Sequence, residues 1–232
     1  SSTGFISLIS TISMLGIAIA VAVLIVVLSV VNGFERELRD RLLATSAHAT
    51  IEHPDGRLSL WQSWIELAET RADVDAAAPF INGQGLLVNT RNLSGAEFRG
   101  IDPAMESEVS GVGDTLLEGT LDSLVAGEYN IVIGSELADA LDATMGDRLT
   151  LTLAEGIVTP VGVVPRTKRF TVSGIYRVGM YEFDRRLGFI HLQDAQKLFR
   201  KSEDVTGIRL SVSDIFNAPD IVRETALEGG GG

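Results

Sequence analysis

Residues 5–31 read FISLISTISMLGIAIAVAVLIVVLSVV, a stretch without one charged side chain. As an α-helix it extends about 40 Å, which exceeds the roughly 30 Å of a bilayer's hydrocarbon core. A secretory signal peptide has a much shorter apolar region, of about 7–15 residues. The small-x-small sequence Ala47-His48-Ala49 lies behind a charged stretch, so cleavage there is not expected. The sequence therefore predicts a retained membrane helix that holds a domain at a membrane surface.

Two features predict how this helix is used. Gly16 and Ala20 are spaced four residues apart, which lets a second helix approach closely, although small residues are also common in membrane helices generally. After the span, Glu35–Arg39 and Glu37–Arg41 are i,i+4 pairs with the acid first, so the helix is predicted to continue. Asn32-Gly33 marks either a bend or a tolerated glycine. The flanking charges nearly cancel and give no membrane orientation.

Composition limits the classes of partner. The chain has 232 residues, a net charge of -12 and a pI of about 4.7. About 200 residues lie outside the span, enough for one or two domains with a core. The acidic balance argues against nucleic acid, because phosphate binding needs basic surfaces. Without cysteine there is no disulfide and no thiolate metal site. Gly229–Gly232 are predicted to be a linker or cloning scar.

Hydrophobic patterning predicts the elements of the remaining chain. Helices are predicted after the caps Ser59, Ser135 and Asp194, and one begins at Pro219. Asn92–Gly95 is predicted to be a hairpin turn, and 102–127 a loop with a short helix near 121–125. The predicted strands are 47–52, 74–81, 86–90, 96–101, 130–133, 148–153, 170–175, 187–192 and 206–213. Their order predicts an α+β unit split by a mostly β insertion.

No linear motif predicts an enzyme. The chain lacks the HExxH, GxSxG, GxxxxGK[ST] and paired-cysteine patterns, and Gly111-Val112-Gly113 lacks the third glycine of a dinucleotide loop. His48 and His53 are expected on opposite faces of a strand. His191, in an apolar strand, is predicted to be structural. We therefore expect no catalytic residue, no metal and no cofactor on this chain, although a catalytic site can be assembled without a linear motif.

The most unusual soluble segment is 156–165, GIVTPVGVVP, which has no charge and two prolines. Proline is excluded from central strands, so the segment is predicted to be a stiff protruding loop. Arg166, Lys168 and Arg169 follow directly. An exposed apolar tip beside basic residues is typical of a protein-docking element. The alternative is that the valines pack into the core and the prolines only shape a turn.

Several stretches resemble the lipoprotein-releasing ABC transporter permeases, the LolC/LolE/LolF family. The N-terminal ones are FIS (5–7), SMLGI (13–17), LIVVLSVVNGFE (24–35) and ELRDR (37–41). GFIHLQDAQKL (188–198) and VTGIRL (205–210) are similar as well. The likeness extends to Leu227, and its SVxNGF stretch is fairly specific.

The resemblance implies an α+β fold with one N-terminal transmembrane helix and a MacB-like periplasmic domain. That domain has a split αβ porter-like part and a β-rich Sabre-like insertion. The implied boundaries are 1–46 for the helix and its periplasmic extension, 47–100 and 203–228 for the porter-like segments, and 101–202 for the insertion, with a hook loop at 156–166. Family members have four membrane helices, so this chain corresponds to the first helix and the domain that precedes the second.

The resemblance also implies a function. The family extracts lipoproteins from the bacterial inner membrane and passes them to the soluble periplasmic carrier LolA. ATP is hydrolysed on a separate subunit, LolD, present as a dimer, and a second permease subunit completes the complex. The implied role of this chain is that of a permease part without catalytic residues or cofactors, with its soluble domain in the periplasm, in contact with membrane lipid and lipoprotein substrate but not with nucleic acid.

Site residues are implied in the same way. The segment that resembles the carrier-binding hook of the family consists of Thr159, Pro160, Val161, Gly162, Val163, Val164 and Pro165. The resemblance implies that Arg166, Lys168 and Arg169 assist the contact. This hook favours a LolC-like or LolF-like member over LolE. Val31 and Phe34 are implied beside a cavity for lipid chains, where the first helix leaves the membrane. The alternatives are a MacB-like efflux permease, an FtsX-like regulator, and a membrane-anchored enzyme or sensor.

Overall fold

The computed structural model describes residues 2–45, 49–153, 157–159, 162–213, 221–223 and 225, and side chains for 12–34, 49–153, 165–213, 221–223 and 225. The chain forms two units, Ser1–Ala44 and Thr45–Gly232. The first is the helix α1, Ser2–Thr45, which continues through Asn32-Gly33 without a break. Its segment Ile12–Phe34 is long and apolar enough to cross a membrane, by length and composition.

The second unit mixes helices and strands. The helices are α2 (Trp61–Glu69), α3 (Pro103–Val109), α4 (Ser135–Leu141), α5 (Tyr181–Arg186) and α6 (Leu192–Phe199), with 3-10 turns at Gly111–Thr115 and Leu121–Ser123. The strands are β1 (Ala49–Glu52), β2 (Val74–Asn89), β3 (Asn92–Ile101), β4 (Leu116–Gly119), β5 (Asn130–Gly134), β6 (Arg148–Leu153), β7 (Ile157–Thr159), β8 (Gly162–Val164), β9 (Thr167–Tyr176), β10 (Leu187–His191) and β11 (Gly207–Val212). Residues 221–223 and 225 are helical.

Six strands close into a ring. Following the pairings, β2 bonds β3, then β10, β5, β9 and β6 follow, and β6 bonds β2 again. β11 and β1 extend the sheet outward from β2, and β4 extends it from β9. All six ring strands contribute buried side chains to the main core, among them Leu87, Phe98, Ile133, Leu151, Phe170 and Ile190. Closure gives each of these six strands two neighbours, which stabilises their pairing.

Strand β2 is the branch point of the sheet. Its first half, Val74–Phe80, pairs with β11, and 85–88 pair with β6. Between the two partners, the Asn82 amide donates to Thr206 Oγ1 at 3.1 Å. One long strand therefore links the outer sheet to the ring. Strands of the predicted porter-like part and of the predicted insertion belong to one nine-stranded sheet, and the boundary between those parts stays a prediction.

The predicted β2–β3 turn was wrong. The turn lies at Thr90-Arg91, with Thr90 in the left-handed region, and not at Asn92–Gly95. The glycines that interrupt the apolar pattern lie inside the strands. Gly83 leaves room for the Phe199 ring, and Gly85 lets the Thr152 carbonyl approach, because a Cβ at either position would overlap its neighbour. These glycines permit close packing instead of a chain reversal.

The predicted helix caps were also wrong. Helix α2 begins after Leu60 in a left-handed conformation, and Ser59 Oγ instead donates to Asp204 Oδ1 at 2.7 Å. Gly134 precedes α4, of which Ser135 is the first residue. Helix α6 begins at Leu192, and the Nδ1 of His191 accepts from the Gln193 amide at 3.1 Å. In each case a polar residue near the start suited several partners, and tertiary contacts selected among them.

The region predicted to be mostly loop holds α3. Asp102 caps this helix by accepting from the Ala104 amide at 3.1 Å, with Pro103 in the first turn. The strands predicted at 130–133, 148–153, 170–175, 187–192 and 206–213 were confirmed as β5, β6, β9, β10 and β11. In β6, Leu149, Leu151 and Leu153 are all buried, as their alternation predicted. Of the helix predicted from Pro219, the described part is 221–223 and 225.

Buried charges fasten α3 to the sheet. Arg209 Nη1 of β11 donates to Glu106 Oε1 of α3 at 2.6 Å, and Ser110 Oγ donates to the same oxygen at 2.6 Å. Arg99 of β3 lies close enough to be influenced by both. Burial, and then the like charge of Arg209, lower the pKa of the Arg99 guanidinium to about 10. Two cations and one anion therefore lie together, with Arg209 and Glu106 buried and Arg99 half-buried.

We expect Arg209→Met to lower the free energy of unfolding by about 3 kcal/mol or more, because it leaves Glu106 buried without its cation. The double variant Glu106→Leu/Arg209→Met should recover part of that loss. Arg91→Met, at an exposed turn, should change stability by less than about 0.5 kcal/mol. Thermal unfolding monitored by near-ultraviolet circular dichroism measures all three. Equal losses in the single and double variants would contradict the account.

A second pair of variants tests the packing of α6. A Cβ at Gly100 of β3 would overlap the Cβ of Ala195, which is fully buried in α6. We therefore expect Gly100→Ala to destabilise the domain by about 2 kcal/mol through overpacking. Gly95→Ala, on the same strand with nothing within 4 Å of the added carbon, should be close to neutral. Chemical denaturation compares the two, and equal losses would show that α6 does not press on β3.

Candidate functional site

The uncharged segment contains a small β-hairpin. Strands β7 and β8 pair antiparallel with the register Ile157↔Val164, Val158↔Val163 and Thr159↔Gly162. Among the described strands they pair only with each other and form a two-stranded sheet of their own. The segment was predicted to be a loop, and six of its residues are in strands. Pro160 and Val161 lie outside the described residues, as do the side chains of 157–164.

The hairpin extends from the β6–β9 pair of the ring. The last pairing of that ladder is Thr152↔Thr167, and the Leu153 amide donates to the Arg166 carbonyl at 2.9 Å. We call Pro165–Arg169, where the chain returns to the ring, the hairpin root. Pro165 is exposed and precedes β9. The hairpin is thus connected to the closed ring of strands.

The three basic residues of the root differ in their surroundings. Arg166 Nη1 donates to the Leu198 carbonyl of α6 at 3.2 Å. Lys168 Nζ lies 3.5 Å from the centre of the Tyr129 ring, a cation–π contact. Arg169 is exposed on the opposite face of β9. Two of the predicted site cations therefore contact their own domain, and the third faces solvent.

Tyr129 was missed in the sequence. Its ring meets Phe170 edge-on, with centroids 5.6 Å apart, in addition to the Lys168 contact. Its backbone is left-handed with φ 54°, which is uncommon for a bulky residue. Its carbonyl accepts from the Thr171 amide at 3.0 Å, so the residue is bonded to β9 by backbone as well. No spacing in the sequence indicates these contacts.

Asp194 holds the loop that carries Tyr129. It is fully buried in α6 and accepts from the Gly127 amide at 2.9 Å and from the Tyr129 amide at 3.3 Å. The cap prediction was wrong because the carboxylate points to this loop and the start of α6 is left to His191. A carboxylate with two amide donors is a strong, charge-assisted clamp.

A second buried aspartate has the same function elsewhere. Asp184 of α5 accepts from the Val178 amide at 2.8 Å and the Gly179 amide at 3.0 Å. Tyr176 lies nearby, and its hydroxyl donates to the Leu187 carbonyl at 3.0 Å. Burial raises the pKa of this hydroxyl, so it remains a donor at neutral pH. Both aspartates are structural in the described contacts.

The described residues contain cavities but no grouping typical of catalysis. A cavity of about 640 Å³ opens where β2 changes partner, and its lining includes Arg57, Glu97, Arg99, Phe199 and Lys201. Arg57 is bonded to the Arg200 carbonyl and Lys201 to the Gly56 carbonyl, so both cations serve chain packing. No group of three His, Asp or Glu side chains in the described part of the chain is placed to hold a metal ion.

The predicted site residues of α1 all lie on exposed helix. Gly16 has open space around its Cα, and Ala20 is exposed. Val31 and Phe34 keep 46% and 63% of their surface accessible. Apolar side chains with this much exposure suit contact with lipid or with another helix. Their predicted roles stay predictions.

Comparison with known proteins adds the family. The model of the MacB-like periplasmic core domain matches residues 10–225. The chain belongs to this family. The match includes the hairpin, its root and α6, so the MacB-like α+β fold predicted from the sequence is confirmed.

Curated relatives of this MacB-like chain are lipoprotein-releasing proteins. LolC of Neisseria meningitidis serogroup B is 44% identical over 93% of this chain and 52% of its own length. LolC of Xylella fastidiosa strain 9a5c is 45% identical over 97% of this chain and 54% of its own length. LolE of Haemophilus influenzae is 34% identical over 49% of this chain and 28% of its own. The chain spans about half the length of the LolC relatives, and the resemblance to the LolC/LolE family is confirmed.

Solved structures show the fold alone. The extracellular domain of the transporter YknZ from Gram-positive bacteria aligns with a TM-score of 0.51 at 10% identity, covering 78% of this chain and 92% of that one. The periplasmic region of MacB from Actinobacillus actinomycetemcomitans gives 0.50 at 14% identity, covering 74% and 75%. At these identities the likeness concerns the overall fold, and the function of those proteins is not transferred.

The revised role of Asp194 can be tested directly. We expect Asp194→Ala to lower stability by about 2 kcal/mol, because two buried amides lose a charged acceptor. Hydrogen exchange should accelerate at Gly127 and Tyr129. His191→Ala should cost about 1 kcal/mol, as a lost cap, and accelerate exchange at Gln193. Asp139→Ala, at an exposed position on α4, is the control. Faster exchange at Gln196 or Lys197 and not at Tyr129 in Asp194→Ala would restore the cap interpretation.

Proposed function

We propose that this chain is part of a permease subunit, without catalytic residues, of an ABC transporter that extracts lipoproteins from the inner membrane. The observation that carries the proposal is the 44–45% identity with LolC proteins over 93–97% of the chain. That identity extends across both units, α1 and the domain with the ring. The wider complex includes a LolD-like ATPase dimer, which hydrolyses ATP, and a second permease subunit.

The hairpin is the proposed contact for a LolA-like periplasmic carrier. Its residues Thr159, Pro160, Val161, Gly162, Val163, Val164 and Pro165 form the hook. Two observations support this assignment. The segment is uncharged on a domain of strongly acidic composition, and its strands β7 and β8 pair with no other described strand. An uncharged strand pair with free edges suits docking to another protein through apolar and backbone contacts.

The basic residues assist this contact in different ways. Arg169 is exposed and is the cation that an acidic group on the carrier can reach without rearrangement. Lys168 is half-buried, and its ammonium lies over the Tyr129 ring. The guanidinium of Arg166 already donates a hydrogen bond to the Leu198 carbonyl. Exposed cations of this kind mainly raise association rates and set orientation, and contribute less to affinity.

Helix α1 is the proposed membrane anchor, and the domain lies in the periplasm. The segment Ile12–Phe34 has the length and composition to cross the bilayer once. Val31 and Phe34, near its end, are proposed to face a cavity that receives lipid chains. Gly16 and Ala20 are proposed to pack against another permease helix. Extraction of a lipoprotein needs a lipid-facing path of this kind, and the proposal involves neither a cofactor nor nucleic acid.

The domain boundaries are proposed as predicted, with porter-like segments at 47–100 and 203–228 around an insertion at 101–202. The ring draws strands from the first segment and from the insertion, which is consistent with an insertion that folds onto its host. A MacB-like efflux permease or an FtsX-like regulator shares this fold. The TM-scores of 0.50–0.51 reflect a shared fold, whereas the identity to LolC of Neisseria meningitidis is 44%, against 10–14% for those structures.

The test is binding of a purified LolA-type carrier to the whole chain in detergent, measured by calorimetric titration. We expect Pro160→Glu and Val163→Asp each to weaken binding by about a hundredfold or more, because a charge is desolvated in the interface. Val125→Asp introduces the same charge at an exposed apolar position outside the hairpin and should leave affinity unchanged.

Two results would contradict the hook assignment. The first is unchanged affinity in both hairpin variants. The second is an equal loss in Val125→Asp, which would indicate a general effect of negative charge. Binding of an efflux adaptor or a hydrolase activator, with no binding of the carrier, would favour the MacB-like or FtsX-like alternative.

A further inference from the structure

The hairpin root is bonded to helix α6 by a direct route. Arg166 Nη1 donates to the carbonyl of Leu198, in the last turn of α6, at 3.2 Å. The final carbonyls of a helix have no partner within the helix, and the helix end carries partial negative charge. A guanidinium can donate to such a carbonyl, and its positive charge is attracted to the helix end. This contact joins the first residue of the root after Pro165 to an element that is packed on β2 and β3.

A second route runs through Tyr129. Lys168 belongs to the root, and its ammonium is 3.5 Å from the centre of the Tyr129 ring. The same ring meets Phe170, the next residue on that face of β9, edge-on. The loop of Tyr129 is held in turn by Asp194 of α6, through the Gly127 and Tyr129 amides. Both routes therefore end on one helix.

Helix α6 is itself closely packed. Ala195 presses on Gly100 of β3, and the Phe199 ring lies against Gly83 of β2, where neither glycine leaves space for a side chain. Asp194, Ala195 and Leu198 are buried. Such an element has little freedom to shift, because protein interiors are close-packed. Because the root is bonded to this helix, the direction in which the hairpin leaves the ring is defined.

We propose that Tyr129, Lys168 and Arg166 are positioning residues that lock the hairpin root onto helix α6, and that this lock sets the affinity of the hairpin for its carrier. The second half rests on the proposed function, and the first does not. The hairpin pairs with no other described strand, so its direction depends on the root. A preset direction lowers the ordering entropy that binding must overcome.

The lock is measurable without a carrier. The chain has no cysteine, so Val161→Cys and Asp139→Cys place one spin label between β7 and β8 and one on exposed α4. Double electron–electron resonance on the whole chain in detergent then gives the distribution of distances between the two labels. We expect Tyr129→Leu to broaden it, and Tyr129→Phe to leave it unchanged, because the hydroxyl bonds to no described residue and the ring contacts are kept.

Lys168 offers a matched set of variants. Lys168→Met keeps an apolar stem and loses the cation, so we expect a broader distribution and about fivefold weaker carrier binding. Lys168→Arg keeps a cation over the ring and should retain both the narrow distance distribution and the carrier affinity. Lys197→Met removes the same charge from the exposed face of α6 and should change neither. Thermal unfolding checks that each variant is folded, and Lys168→Met decides the matter should Tyr129→Leu not fold.

The outcomes separate the two halves. An unchanged distribution in Tyr129→Leu and Lys168→Met overturns the lock. Equal broadening in Tyr129→Phe overturns the role of the ring. A broadened distribution with unchanged carrier affinity overturns positioning. Should the unsubstituted chain bind no carrier, the proposed function fails, while the distance distributions still decide whether the root is locked.

Discussion

The closure of six strands into a ring through β2 is the constraint on which the rest of the domain depends. β2 has to reach both the outer sheet and β6, so it runs without a break from Val74 to Asn89. A strand of that length exposes backbone where it changes partner. Gly83 and Gly85 lie at this change, and α6 covers it with Phe199. The position of α6, and through it that of the hairpin root, follows from the branch in the sheet.

Buried acids perform much of the fastening in this acidic domain. Asp194 and Asp184 each accept from two loop amides, and Glu106 accepts from Arg209 and Ser110. The loops that Asp194 and Asp184 hold contain Gly127 and Gly179, both with positive φ. Backbone amides in such loops need acceptors, and a carboxylate satisfies two at once. The negative charge of the chain is therefore not all on its surface.

The sequence predicted the parts of this fold that depend on local pattern. Alternation identified β6 and β11, and the charge-free run of 5–31 identified the long helix, because burial on one face or in lipid imposes a period or a length. It failed where one residue suited two local structures. Asn92–Gly95 suggested a turn, although it lies within β3, and Asp194 suggested a cap, although it serves a loop 65 residues earlier in the chain.

The site divided in the same way. Absence of charge and two prolines singled out 156–165, since those properties are visible in the sequence. Tyr129 has no such signal, because its contacts with Lys168, Phe170 and Asp194 join three separate segments. The sequence also did not indicate that Arg166 and Lys168 contact their own domain while Arg169 faces solvent. A strand turns alternate residues to opposite faces, but which face meets α6 is fixed by the closed ring.

An uncharged hairpin has a particular need for a fixed root. Apolar attraction is non-directional, so it gives affinity without choosing an orientation. Charges usually supply direction, and 156–165 has none. Direction has then to come from geometry at the base, where Arg166 and Lys168 are bonded inward and Arg169 faces outward. Cations that contact their own domain and a cation that faces solvent thus follow one another within four residues, and on the proposed function the same short sequence would both aim the hairpin and attract its partner.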